Sequence, residues 1–193
     1  HWHSYWMAAG TGYPTAITWT LPEGFTAGAI QWPTPHVVKD LAGKITGNGY
    51  ENEVFLLVEI TPSKTLDADT NIKLEAVAEW LMCETVCMPG DAKLAISLPV
   101  GAAQADAKWT GPLAAARAQL PAASTGWDIT ASHDVAKLTL RLIPRPGTTH
   151  QPAGLHFFAA DGFTDYTQKN TVTQDNGTLV ITAPLDAAAD KAT

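Results

Sequence analysis

Short runs of alternating apolar and polar residues fill most of the chain, and Pro and Gly punctuate them. A period of two places alternate side chains on one face of an extended backbone, so such runs predict half-buried β-strands. The clearest are AITWTL (16–21), EVFLLVEI (53–60), IKLEAVAEWLM (72–82) and KLAISLPV (93–100). In 72–82 the apolar set is Ile72, Leu74, Ala76, Ala78 and Trp80, with Lys73, Glu75 and Glu79 on the other face. The next strand should turn Leu94, Ile96 and Leu98 inward and Lys93 and Ser97 outward, although Pro89 and Gly90 are placed to shift the register before it. The opening HWHSYW also reads as the middle of a strand.

The pattern changes at GAAQADAKWTGPLAAARAQLPAASTG (101–126), which is rich in Ala. Within it GPLAAARAQLP can form one or two helical turns before Pro121 ends them, and the whole stretch reads as a connector. Strand-like runs resume in WDITASHDVAKLTLRLIP (127–144), AGLHFFAA (153–160) and GTLVITAP (177–184), and the tail LDAAADKAT is expected to fray. The prediction is an all-β protein: an immunoglobulin-like β-sandwich over 1–100, an Ala/Pro-rich connector over 101–126, and a second, smaller β-sandwich-like domain over 127–193.

Composition narrows the function. With 193 residues, 46% hydrophobic, the chain can bury one sizeable core or two small ones. Nineteen acidic against twelve basic residues give a net charge of -7. Nucleic acid and anionic membranes demand clustered Lys and Arg, which are absent, so neither is an expected partner. No apolar run reaches the roughly 20 residues that span a bilayer, so any anchor is expected in a segment outside this sequence.

The only two cysteines, Cys83 and Cys87, lie in EWLMCETVCMPG (79–90). If they face each other across a three-residue hairpin loop, their Cα atoms fall about 5.5 Å apart, which suits a disulfide; one turn of helix would also permit it. A staple closing about five residues removes only about 2 kcal/mol of unfolded-state entropy, against more than about 4 kcal/mol for a bridge across most of a domain. An accessible, reversible dithiol is the better use of such a pair. A metal remains a third use, because Met82 and Met88 add soft thioether ligands suited to Cu(I). Two thiols fall short of a closed zinc site, no His within ten residues completes one, and His1 with His3 would bind copper only at a natural N-terminus. No metal or other cofactor is therefore expected. Trp19, Trp32, Trp80 and Trp127 fit packing positions, and His133, His150 and His156 lack the spacing of a triad or a metal cluster.

Several ordered motifs carry a resemblance. HWHSYWMAAGTGYPTAITWTLPEGFTAGAIQWPTP (1–35), GYENEVFLLVEITP (49–62) and EWLMCETVCMPGDAKLAISLPV (79–100) resemble the N-terminal periplasmic region of the DsbD family of thiol:disulfide interchange proteins, particularly its ScsB-like branch. GPLAAARAQLP and LHFFAADGFTDYTQKN (155–170) are similar to the connector and second module of that branch.

The resemblance implies an immunoglobulin-like periplasmic domain acting as a protein-disulfide reductase, and an opening segment ahead of His1. Its partners would be the thioredoxin-like domain of the same full-length protein, which supplies electrons through a transmembrane domain, and periplasmic thioredoxin-like or disulfide isomerase proteins, which receive them. It assigns Cys87 as the thiol that forms the mixed disulfide and Cys83 as the resolving thiol. A loop capping the dithiol would fall near Asn48 to Asn52, with Tyr50 as shield beside Glu51; GNGYENE does not reproduce the family's acidic-aromatic cap motif, and the cysteine spacing is shorter than in well-known members. With Glu79 and Glu84 nearby and no cationic residue within five positions of either cysteine, the thiols should be only modestly reactive until a partner docks. The alternative from another class is a non-enzymatic copper-handling or binding β-sandwich module with a fixed cysteine pair.

Overall fold

The computed structural model describes residues 2–10, 12–149, 152 and 154–187. His1, His150 and the end of the tail, each part of a reading above, lie outside them. Among the described residues the architecture is all-β with one helix, and the chain divides into two compact units, 1–36 with 49–121 and 37–48 with 122–193.

The first unit is built around a long hairpin. Strands β1 (His3–Gly10), β2 (Ala16–Thr20) and β3 (Thr26–Ala27) come first, and β4 (His36–Lys39) leads into the second unit. The chain returns along β5 (Ile45–Glu51), followed by β6 (Ile60–Thr61), β7 (Asn71–Cys83) and β8 (Cys87–Pro99). The large sheet here runs β2-β7-β1-β5, with β8 paired to β7, while β3 and β6 form a two-stranded sheet. β7 and β8 pair without interruption from Asn71↔Pro99 to Cys83↔Cys87. Pro89 and Gly90 thus cause no slip. Pro89 has no N–H to give a ladder, and β8, paired only to β7, tolerates it as an edge strand does.

The alternation in β7 holds: Leu74 and Ala76 are buried. That in β8 does not. Leu94, Ile96 and Leu98 are 51%, 53% and 43% exposed although they were expected inward. Their register partners Ala76, Leu74 and Ile72 sit over the core, whereas the edge strand overhangs it.

EVFLLVEI is the other departure. It has no strand before Ile60, only the bridge Gln31↔Leu57. Its apolar run 54–58 serves packing without a ladder, since Phe55 meets the Trp109 ring at 6.4 Å while Val54 and Leu56 line a cavity with Trp80. That contact belongs to helix α1 (Ala107–Ala118), which is longer than the expected turns because Asp106 caps it, accepting from the Lys108 amide at 2.9 Å. Residues 101–121 group with this unit.

In the second unit a four-stranded antiparallel sheet runs β11 (Thr171–Asp175), β12 (Thr178–Pro184), β10 (Lys137–Pro144), β9 (Trp127–His133). Leu142, Leu179 and Ile181 form its core, with Trp127, Leu140, Leu155 and Phe157 packed on them. AGLHFFAA makes no strand among its described residues. The Phe157 amide donates instead to Asn170 Oδ1 at 2.6 Å, so a side chain replaces the expected ladder.

Candidate functional site: the hairpin disulfide

Glu84, Thr85 and Val86 form the three-residue tip of the β7–β8 hairpin, closed by the Glu84 amide donating to the Val86 carbonyl at 3.2 Å. The tip brings Cys83 and Cys87 opposite each other, with Cα atoms 4.1 Å apart and the sulfurs bonded as a disulfide. Its halves differ. Cys83 is 3% exposed, whereas Cys87 is open to solvent between Val86 and Met88, which are 62% and 43% exposed.

Alternation alone put Cys83 on the polar face of β7. It is buried because β1 arrives there: His3 pairs with Cys83, and Tyr5, two residues on and so on the same face, packs against Cys83 together with Leu81. Tyr5 is itself 3% exposed, and its hydroxyl lies 3.9 Å from Cys87 Sγ and 3.4 Å from His3 Nε2. A Cβ at position 12 would collide with the Tyr5 ring, so Gly12 gives the ring its space. Burial lowers the His3 pKa, and the Glu51 carboxylate opposes this. Sequence reading missed Tyr5. The only signal was the His-x-Tyr spacing in a strand, which puts both rings on one face.

The cap residues are placed otherwise than a loop would place them. Asn48 to Glu51 end strand β5, and only Asn52, at φ 63°, turns away from it. Gly49 permits the close approach of this strand to β1, since a Cβ there would strike the Ser4 carbonyl. Tyr50 is 7% exposed, donates its hydroxyl to the Pro33 carbonyl at 2.7 Å, and stacks on Trp32. Burial pushes its pKa up. Tyr50 lines a cavity of about 390 Å³ with His3 and Met82, while Glu51 reaches the site through its charge on His3.

The four soft atoms do not converge. Met82 pairs with Met88 one step from the cysteine pair, so the thioethers leave the opposite face of the hairpin from the sulfurs. Among the described residues, no group of three or more His, Cys, Asp or Glu is arranged to hold a metal. None of their helices is long and apolar enough to cross a membrane. His133 and His156 join no catalytic cluster; the His133 ring meets Phe163 edge-on, and burial lowers the His156 pKa.

The family model for the N-terminal region of the thiol:disulfide interchange protein DsbD matches residues 1–99. The chain belongs to the DsbD N-terminal family. Among solved structures, the N-terminal periplasmic domain of ScsB from Proteus mirabilis is similar at 26% identity and a TM-score of 0.67, over 96% of this chain and 69% of that one. Comparison with curated proteins gives no match. As a DsbD-family domain, the chain is a thiol:disulfide interchange module, and its two cysteines are joined in the hairpin disulfide.

Proposed function

We propose that this module is a protein-disulfide reductase in the periplasm, part of a membrane-anchored protein, and that Cys83 and Cys87 carry its electrons. The supporting observation is the asymmetry of the disulfide: one cysteine exposed at a hairpin tip, the other buried against Tyr5. Exchange requires a thiolate to approach one sulfur in line with the S–S bond, and of the two residues Cys87 is the one exposed to such an approach.

In the reducing half-reaction a thiolate of the donor, the thioredoxin-like domain of the full-length protein, attacks Cys87 Sγ and releases Cys83 as thiolate. The donor's second thiol then displaces Cys87, leaving a dithiol here and a disulfide on the donor. In the outgoing half-reaction the Cys87 thiolate attacks the disulfide of a periplasmic thioredoxin-like or disulfide isomerase protein. Cys83 resolves the mixed disulfide, and two electrons and two protons reach the partner. Tyr50 and Glu51 act on the dithiol's surroundings through His3, Tyr50 by lining the cavity that His3 also lines and Glu51 through its charge on the His3 ring. Residues 1–100 act as the redox module, 101–126 as connector, and 127–193, which has no cysteine, serves docking or spacing.

Equilibration with glutathione buffers tests this reading. A reduction potential above about -300 mV supports a relay, and one below it marks a structural bond and rejects the proposal.

A further inference from the structure

The buried side of the dithiol holds a polar path with no part in the exchange steps above. His3 is 7% exposed on β1, its Nε2 is 3.4 Å from the Tyr5 hydroxyl, and that hydroxyl is 3.9 Å from Cys87 Sγ. The two rings meet edge to face at 5.2 Å. Tyr5 and His3 are buried, His3 at the wall of the cavity that Tyr50 lines, and the path meets solvent at the exposed Cys87.

Resting on the exchange reading, we infer that Tyr5 and His3 are positioning residues that carry the proton of the Cys87 thiol. When the reduced module is activated, the thiol proton passes to the Tyr5 oxygen as the Tyr5 proton passes to His3 Nε2, giving a Cys87 thiolate and an imidazolium. After the thiolate has attacked the partner disulfide and Cys83 has displaced the partner, the imidazolium returns its proton by the same path, and it leaves with a partner sulfur. The count balances: the dithiol gives up two electrons and two protons, and the partner disulfide gains both.

The chemistry suits the surroundings. The carboxylates of Glu79 and Asp91 lie on the sulfur-bearing face of the hairpin, and Glu84 follows Cys83, so no neighbouring cation on the hairpin draws the proton away. Of the groups acting on the imidazole, Glu51 of β5 favours its protonation and burial opposes it. A neutral imidazole beside a buried hydroxyl is a competent acceptor near pH 7.

The test is the pH profile of Cys87 alkylation by iodoacetamide in the reduced protein, where buried Cys83 reacts little. Tyr5→Phe removes one oxygen and keeps the ring; His3→Gln keeps a hydrogen-bonding side chain that does not titrate. Each should slow alkylation at pH 7 about tenfold, the worth of one hydrogen bond to a charged group, and move the profile to higher pH. The double variant should be no slower than either single one. Unchanged profiles, or two independent and additive losses, overturn the path. Should His3→Gln fail to fold, Tyr5→Phe alone decides. Glutathione equilibration of the unaltered protein is run beside it: failure to exchange there sinks the functional reading, whereas normal exchange with unaltered variant profiles sinks only the path.

Discussion

Trp80 and Gly90 face each other across the β7–β8 ladder, and indole atoms of Trp80 fill the space that a Cβ at position 90 would need, 2.7 Å from the nearest of them. The glycine one rung beyond Pro89 is thus a packing requirement and not a break in the strand. Gly90→Ala must displace a rigid ring and should cost about 1–3 kcal/mol, read from urea unfolding. A variant as stable as the parent would show that the ring moves freely.

Leu74 and Ile96 are also a register pair, yet one is 7% and the other 53% exposed. Leu74→Ala should cost about 2–5 kcal/mol through the cavity it leaves, whereas Ile96→Lys should change stability by less than about 0.5 kcal/mol. Denaturant melts of the pair check this. A large loss in Ile96→Lys would mean that another surface covers the row Leu94, Ile96 and Leu98.

That pair also marks how far the sequence could be read. Alternation in 72–82 and 93–100 located both strands of the hairpin and its tip, because adjacent strands joined by a short loop need only local information. It could not say that β8 lies at an edge, since the same alternation arises whether or not a partner covers the apolar side. The cysteines were legible as a chemical pair from their spacing. Tyr5 was not, because its contact with Cys83 depends on β1 joining β7 across 78 positions of sequence, a pairing that no local pattern encodes. Tyr50 was singled out through family resemblance as part of a loop, and the strand that holds it became visible only when Gly49 was seen against the Ser4 carbonyl.

Reduction should leave the fold standing. A bridge across four positions closes so small a loop that its contribution is about 2 kcal/mol. The remaining ladder, from Asn71↔Pro99 to Met82↔Met88, needs no covalent help. Thermal melts with and without reductant should differ by several degrees only, with the strand signature in far-UV circular dichroism retained. Collapse to an unfolded spectrum on reduction would identify the bond as a staple.

The unequal exposure of the two cysteines predicts different roles for them in exchange. With Cys83 3% exposed beneath Tyr5 and Cys87 open at the tip, the first bond to a partner should form at Cys87. In Cys83→Ser the mixed disulfide has no internal thiol to resolve it, so an oxidised thioredoxin-like protein should accumulate as a covalent adduct on nonreducing gels. In Cys87→Ser the surviving thiol is buried, and a partner sulfur cannot reach it in line without moving Tyr5, so little adduct should form. Tyr5→Ala placed in the Cys87→Ser background separates access from chemistry: uncovering Cys83 should then restore some trapping. Adduct from Cys87→Ser alone, with none from Cys83→Ser, would reverse the assignment.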